Sequence, residues 1–259
     1  MAILNVTPDS FSDGGLYFDF AAAVGRGQQM EDEGADIIDV GGESTRPGNL
    51  TVGEEEETRR VIPVIEALVQ KVSIPVSIDT YRAAVARRAL EAGAQIVNDI
   101  SGLRYDSHLA ATIQAAGCGC ILMHSRGSRE QIHQQPATGD PVETVVEGLQ
   151  QSLEMAGAAG IGHGKIVLDP GIGFSKDAVA SFRVLKSLDV FSRLGYPLLV
   201  GTSRKSFIRA FIQDSPEFRL LATAATGASA IAGGAHLLRV HDVRQMRVVA
   251  DVTDRILVA

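Results

Sequence analysis

The 259-residue sequence predicts a single α/β domain folded as a (β/α)8 TIM barrel. Short apolar runs alternate with longer segments of helical spacing, and eight of each occur. Since each helix would return the chain to its starting side, the sheet is expected to be all parallel. No linker or low-complexity stretch divides the chain, so residues 1–259 are predicted to form one domain. An open doubly wound sheet is the alternative.

The predicted strands are short, apolar and bounded by turn residues. In chain order they are Ala2–Val6, Asp36–Val40, Val76–Ile78, Gln95–Asn98, Gly119–Met123, Ile166–Leu168, Leu198–Val200 and His236–Val240. Because the first strand begins beside Met1, either the bottom of the barrel has no cover or the sequence is an N-terminally shortened form.

The predicted helices lie between these strands and show the 3.6-residue period. They are Phe20–Glu33, Glu54–Lys71, Arg82–Ala92, a shorter one near His108–Ala116, Val142–Ala159, Asp177–Leu194, Glu217–Ala232 and Arg244–Leu257. Several are followed by glycine, as at Gly34 and Gly117, which is a common helix stop.

Composition narrows the class of protein. Hydrophobic residues make up 45% and charged residues 21%, as in ordinary globular domains, and the net charge of -7 favours neither nucleic acid nor an anionic membrane as partner. The sequence shows neither a membrane-spanning apolar segment nor a signal peptide. Cys118 and Cys120 are too few for a zinc site and are predicted to be buried thiols. We therefore expect a cytoplasmic enzyme acting on small molecules.

Polar residues recur where the predicted strands end, and in a (β/α)8 barrel those ends form the active face. They are Asn5, Glu43, Asp79, Asn98, Asp99, His124, Asp169, Ser203, Arg204, Lys205, Arg239 and His241. Taken alone, Asp79 could cap the following helix, and His241 could cap the helix after Asp242. Folding alone does not require so many functional groups at one mouth, so the set predicts a binding site.

Two longer motifs carry a family resemblance. The run Asn5-Val6-Thr7-Pro8-Asp9-Ser10-Phe11-Ser12-Asp13-Gly14-Gly15 resembles the first signature of the dihydropteroate synthases, and Gly41-Gly42-Glu43-Ser44-Thr45-Arg46-Pro47-Gly48 resembles the second. Further matches, in family order, are Ser77–Thr80, Asn98–Gly102, Asp169–Phe174, Ser203–Ser206 and Arg239–Val243. The resemblance implies condensation of 6-hydroxymethyl-7,8-dihydropterin pyrophosphate with p-aminobenzoate in folate biosynthesis, a reaction that sulfonamides target.

The resemblance also implies a pterin site. A carboxylate can accept both N–H donors on the edge of a 2-amino-4-oxo pterin, and Asp169 is the candidate for that edge. Asp79 and Asn98 would meet the remaining ring nitrogens, and Lys205 would donate to the carbonyl oxygen or N5. Met123 would line the pocket, although Ser125 and Arg126, which follow it, depart from the family pattern and leave fine specificity open.

The remaining roles concern the pyrophosphate and p-aminobenzoate. Arg239 and His241 would bind the pyrophosphate, and Asn5 resembles the family's Mg²⁺ ligand, with most of the metal shell supplied by pyrophosphate and water. For p-aminobenzoate, the candidates are Phe11 and Pro47 as an apolar clamp, Thr45 and Arg46 beside it, Phe174 as a wall, and Ser206 at the carboxylate.

Chemistry favours departure of pyrophosphate first, followed by capture of the pterin cation by the arylamine. Asp13 is the candidate to face that cation, and Lys205, Arg239 and His241 complete the predicted catalytic set. A folate-dependent methyltransferase of the pterin-binding barrel type is the nearest rival, and a catalytically silent pterin-binding paralogue is another. The oligomeric state stays open, with a homodimer as one alternative.

Overall fold

The structure is a computed structural model that describes residues 1–7, 16–44, 51–133, 139–209, 211–213 and 215–259. For residues 16–19 and 209, the description covers the backbone and leaves out the side chains.

Eight parallel strands of the described residues form the wall of a closed barrel. They are β1 (Ala2–Asn5), β2 (Ile38–Gly41), β3 (Val76–Asp79), β4 (Ile96–Asp99), β5 (Gly119–Met123), β6 (Ile166–Asp169), β7 (Leu199–Val200) and β8 (Leu237–Leu238). Strands β1 to β6 pair in sequence order, and β7 pairs with β8. Parallel bridges from Leu168 to Leu198 and from Ala2 to Val240 join these two sheets at both edges. The predicted (β/α)8 barrel is therefore confirmed, and the open doubly wound alternative is wrong.

Helices surround this wall. They are α1 (Leu16–Asp32), α2 (Glu54–Leu68), α3 (Ala83–Glu91), α4 (Leu109–Ala116), α5 (Pro141–Ala158), α6 (Ala178–Lys186), α7 (Leu188–Ser192), α8 (Ser206–Arg209), α9 (Pro216–Ala232) and α10 (Val243–Leu257). Along the described chain, no helix has the length and apolarity that a membrane span requires.

Two helix predictions needed correction. The predicted helix Asp177–Leu194 is two helices, because Ser187 leaves the helical region at φ -110° and ψ 30°. The short helix α8 was not predicted, since four residues are too few to show helical periodicity.

Alternation along the strands separates two apolar clusters. Outward-facing residues such as Leu4, Ile38 and Leu122 join the main core between the strands and the helices. Inward-facing residues form a second cluster inside the barrel: Met1, Ile37, Ile96, Ile121, Val167, Leu199 and Leu237. Since side chains alternate with a period of two, the inward positions two residues further along each strand lie closer to the barrel mouth. Those positions carry the candidate site.

Candidate active site

A cavity of about 390 Å³ opens at the C-terminal ends of the strands. This is the size of a pocket for a small organic ligand. The residues lining it are Ile3, Asn5, Glu43, Ser44, Asp79, Asn98, Ile100, Met123, His133, Asp169, Gly173, Phe174, Gly201, Ser203, Arg204, Lys205, Ser206, Arg239 and His241. Ten predicted site residues are among them: Asn5, Asp79, Asn98, Met123, Asp169, Phe174, Lys205, Ser206, Arg239 and His241.

Two residues of the predicted strand-end series point away from the cavity. Asp99 follows the inward-facing Asn98, so it faces outward, where its carboxylate accepts from the backbone N–H groups of Ser101 (2.7 Å) and Leu103 (2.6 Å). His124 follows the inward-facing Met123, and its buried ring lies against Gly148 of α5. The expectation that these two side chains converge at the mouth is wrong, because neighbouring residues of a strand face opposite sides.

Arg239 lies among carboxylates at the barrel mouth. Its Nε donates to Asp39 Oδ2 (2.7 Å), and its Nη2 donates to Asp79 Oδ2 (2.6 Å). Burial raises the pKa of Asp79 above its ordinary range, and the Arg239 guanidinium opposes that rise. Nearby, His241 Nδ1 lies 2.9 Å from Ser203 Oγ. Arg239 and His241 therefore share the cavity, as predicted, but the guanidinium already binds two carboxylates.

Asp169 and Lys205 form a second charged group in the cavity. Asp169 Oδ1 accepts from the Gly171 backbone N–H (2.7 Å), and burial raises the pKa of this carboxyl while Lys205 opposes the rise. Lys205 Nζ donates to the Ile172 carbonyl and lies 4.3 Å from the ring centroid of Phe174. Burial lowers the pKa of Lys205 to about 8, so the amine is still mostly protonated at neutral pH.

The apolar part of the cavity comes from Met123, Ile100 and Phe174, which belong to one small cluster beneath the mouth. The Phe174 ring also stacks on His133, with centroids 5.3 Å apart. Ser206 is exposed at the first residue of α8, on the rim. The arrangement offers a flat ring apolar contacts on one part of its surface and hydrogen-bonding groups around its edge.

A half-buried lysine supports the turn that carries Phe174. Lys176 Nζ lies 3.0 Å from each of the Gly171 carbonyl, the Phe174 carbonyl and His124 Nδ1. An ammonium has three N–H donors, so these three acceptors use all of them. Burial lowers the pKa of Lys176 to about 7 and, with Lys176 beside the ring, lowers that of His124 to about 2.

Glu43, which follows β2, binds Arg82, which precedes α3, and Arg129, in the segment after β5. Its buried carboxylate accepts from Arg129 Nε (2.6 Å) and Arg82 Nη1 (3.0 Å). The same two guanidinium groups reach backbone carbonyls, Arg129 that of Ser44 (2.9 Å) and Arg82 that of Val52 (2.6 Å). The chain is thereby fixed on both sides of residues 45–50.

Some predicted site residues lie outside the part of the chain that the structure describes, and some residues around the site were not predicted. Phe11, Asp13, Thr45, Arg46 and Pro47 lie outside the described residues, so their roles stay predictions. Asp39, Lys176 and the network around Glu43 were missed. For Asp39 a signal existed, because a charged residue alternating with Ile37 and Gly41 on a buried strand must face the barrel interior.

The structure supplies little protein ligation for a metal. Asn5 lines the cavity with one neutral amide oxygen as a possible ligand. Among the residues that the structure describes, no three His, Cys, Asp or Glu side chains gather in a way that could hold a metal. The Asn5 oxygen fits a Mg²⁺ ion that takes most of its ligands from phosphate and water.

Comparisons with known proteins agree with this geometry. The profile of the family described as "Pterin binding enzyme" matches residues 1–241. The chain is 46% identical to the dihydropteroate synthase of Synechocystis over 255 residues, which are 98% of this chain and 88% of that protein. It also resembles a Clostridium difficile dihydropteroate synthase crystallised in the presence of pteroic acid, with a TM-score of 0.93, 45% identity and coverage of 98% and 95% of the two chains. The Xanthomonas albilineans enzyme with 4-aminobenzoic acid has a TM-score of 0.93, 39% identity and coverage of 100% and 92%.

Proposed function

The chain belongs to the pterin-binding enzyme family, among its dihydropteroate synthases, and from this premise we propose how its residues divide the reaction. The reaction joins 6-hydroxymethyl-7,8-dihydropterin pyrophosphate to p-aminobenzoate and releases 7,8-dihydropteroate and pyrophosphate. The observation that carries the assignment of roles is the gathering of Asp79, Asn98, Asp169, Lys205 and Arg239 around one cavity.

Pterin recognition falls to the groups around the cavity edge. Asp169 Oδ1 is used by the Gly171 N–H, which leaves Oδ2 to accept from the pterin edge. Lys205 donates to the pterin carbonyl or N5, and Asp79 and Asn98 meet the remaining ring nitrogens. Met123 lines the pterin pocket and contacts the ring.

Pyrophosphate departure falls to Arg239 and His241, which stabilise the negative charge that grows on the leaving group. Asn5 would supply one oxygen ligand to a Mg²⁺ ion bound with the pyrophosphate, and that ion would neutralise further charge on the leaving group. The pterin methylene then carries a cation that the ring delocalises, and Asp13 faces it. The nitrogen lone pair of the p-aminobenzoate arylamine then forms the new C–N bond to that cation and the nitrogen loses one proton to water, so the reaction is SN1-like.

The p-aminobenzoate site forms at the rim. Ser206 receives the carboxylate, and Phe174 gives an apolar wall. Phe11 and Pro47 hold the ring from the first two loops, with Thr45 and Arg46 beside them. Sulfonamides would compete here because they share the shape of p-aminobenzoate.

Pyrophosphate release tests the proposed function. Purified protein is expected to release pyrophosphate only when pterin pyrophosphate, p-aminobenzoate and Mg²⁺ are all present.

Asp169→Asn keeps the oxygen that accepts from the Gly171 N–H and turns an amide N–H toward the pterin donors. Calorimetry should therefore show pterin pyrophosphate binding at least about tenfold more weakly. Asp13→Asn removes only charge, so it should lower turnover and leave pterin affinity unchanged.

The controls separate the rival functions. Asp189→Asn removes a charge from an exposed pair with Arg193 and should behave as wild type. A methyltransferase would bind a pterin without releasing pyrophosphate, and a silent paralogue would bind without turnover. Either result would contradict the proposed reaction.

We also propose that the protein is a homodimer in the cytoplasm. Val248, Val252 and Ile256 are exposed at four-residue spacing on α10, so they form one apolar stripe, and Leu221 is exposed on the neighbouring α9. The cytoplasm fits two free cysteines.

The mass in solution tests the dimer. Light scattering is expected to give twice the 27.4 kDa of one chain, and Val252→Lys, which puts a charge in the middle of the stripe, should give the mass of one chain. An exposed control, Val179→Lys on α6, should leave the larger mass intact. A wild-type protein with the mass of one chain would rule the dimer out.

A further inference from the structure

Asp39 is a buried carboxylate inside the barrel that does not line the cavity. It lies in the middle of β2, where it is 0% exposed, and in register with Ser77 of β3. A carboxylate completely removed from water is costly unless other groups bind it. Its partners therefore indicate why the barrel holds a charge at this depth.

Both groups that bind Asp39 are predicted substrate contacts. Asp39 Oδ2 accepts from Asn98 Nδ2 (2.9 Å) and from Arg239 Nε (2.7 Å). Asp39 thus touches two side chains that line the cavity while staying beneath it. We infer that Asp39 is a positioning residue for pterin recognition, which it controls through Asn98 and Arg239.

The effect on Asn98 is one of orientation. A carboxylate only accepts hydrogen bonds, so the Asn98 amide must present its NH2 group to Asp39. One N–H of that group is used by Asp39, and the amide oxygen, which takes no part in this contact, is available to accept from the ligand. Beyond the two N–H groups assigned to Asp169, a 7,8-dihydropterin has further N–H donors, at its 2-amino group and at N8, and an amide turned the other way would present donors to these donors. Asp39 therefore selects the amide orientation that suits a donor-rich ring.

Asp39 also holds the Arg239 guanidinium in place. The guanidinium lies between the fully buried Asp39 and Asp79, whose side chain is 16% exposed and lines the cavity. When Asp79 engages pterin N–H groups, Asp39 keeps an anion against Nε. The guanidinium then stays in place for the pyrophosphate instead of following Asp79.

The inference rests on the proposed function and is tested by Asp39→Asn. Calorimetry should show pterin pyrophosphate binding at least about tenfold more weakly, because the amide orientation and the guanidinium are no longer fixed. The KM for p-aminobenzoate, measured at saturating pterin pyrophosphate, should stay within about twofold of wild type. Weaker pterin pyrophosphate binding together with a clearly raised KM for p-aminobenzoate would indicate general damage to the site and overturn the inference.

Ser77→Ala is the matched control. Ser77 is buried in the same layer, and its hydroxyl has no hydrogen-bond partner among the described residues, so its removal should leave pterin affinity unchanged. Should Asp39→Asn not fold, the smaller Asp39→Ser is measured in the same way.

A double mutant separates positioning from a structural role. If Asp39 acts in part through Asn98, the Asp39→Asn substitution should weaken pterin binding less in an Asn98→Ala background than in wild type. Equal losses in the two backgrounds would overturn the route through Asn98, and unchanged affinity in Asp39→Asn would overturn the whole inference. If the wild-type protein itself fails to bind pterin pyrophosphate, the proposed function fails instead.

Discussion

Gly171→Ala should lower the free energy of unfolding by more than about 3 kcal/mol and abolish tight pterin binding. Gly171 has φ +66°, and a Cβ built there would lie 1.9 Å from the His124 carbonyl oxygen. That oxygen belongs to backbone at the end of β5, so it cannot rotate away as a side chain would. Relief requires moving the turn that donates to Asp169 and carries Phe174.

Gly117→Ala is the control for the backbone angle alone. Gly117 has φ +61°, and a Cβ there would meet nothing within 4 Å. Its substitution should cost about 1–2 kcal/mol, the ordinary cost of a left-handed alanine. Chemical denaturation of both variants measures the difference. Equal losses at Gly171 and Gly117 would show that the turn adapts to the extra methyl group.

The fold was largely predictable because the hydrophobic period differs between strands and helices. The strands were placed to within about two residues, a common error at element ends. The break between α6 and α7 was missed because Ser187 is neither glycine nor proline and gives no local signal. It accompanies tertiary packing, since Leu188 and Phe191 of α7 are both fully buried.

The site was predictable only in part. The strand ends were located, but the prediction did not decide whether each side chain there points into the barrel or toward the helices. Shifting a strand position by one residue moves a side chain to the opposite face. Asn98 and Met123 therefore line the cavity, while the adjacent Asp99 and His124 lie outside it. The apolar residues Ile96 and Ile121 mark the inward face and could have decided between them.

Partners distant in sequence could not be predicted. Asp39 and Arg239 are 200 residues apart, and Glu43 and Arg129 are 86 apart. No local spacing rule links such pairs, because the closed barrel brings them together. A sequence motif identifies the residues of the site. The structure is needed to show which of these residues bind each other in the protein without substrate.

Acid should destabilise the protein through His124. Burial lowers the pKa of this imidazole to about 2, and nearby Lys176, Arg104 and Arg126 add to the effect. The unfolded chain takes up a proton near the ordinary pKa of about 6.5, while the folded protein stays neutral at this position until about pH 2. The unfolded state therefore binds more protons between these pH values, so stability falls as pH falls, by about 1.4 kcal/mol per pH unit.

His124→Asn should remove this contribution, since its amide oxygen can take the place of Nδ1 beside Lys176 without titrating. The informative quantity is the slope of unfolding free energy between pH 6 and about 4.5, because the smaller side chain also lowers stability at every pH. Lys176, with its pKa at about 7, is largely protonated in both states over that range and adds little to the slope. Parallel curves for wild type and His124→Asn would mean that the folded protein accepts a proton on this ring.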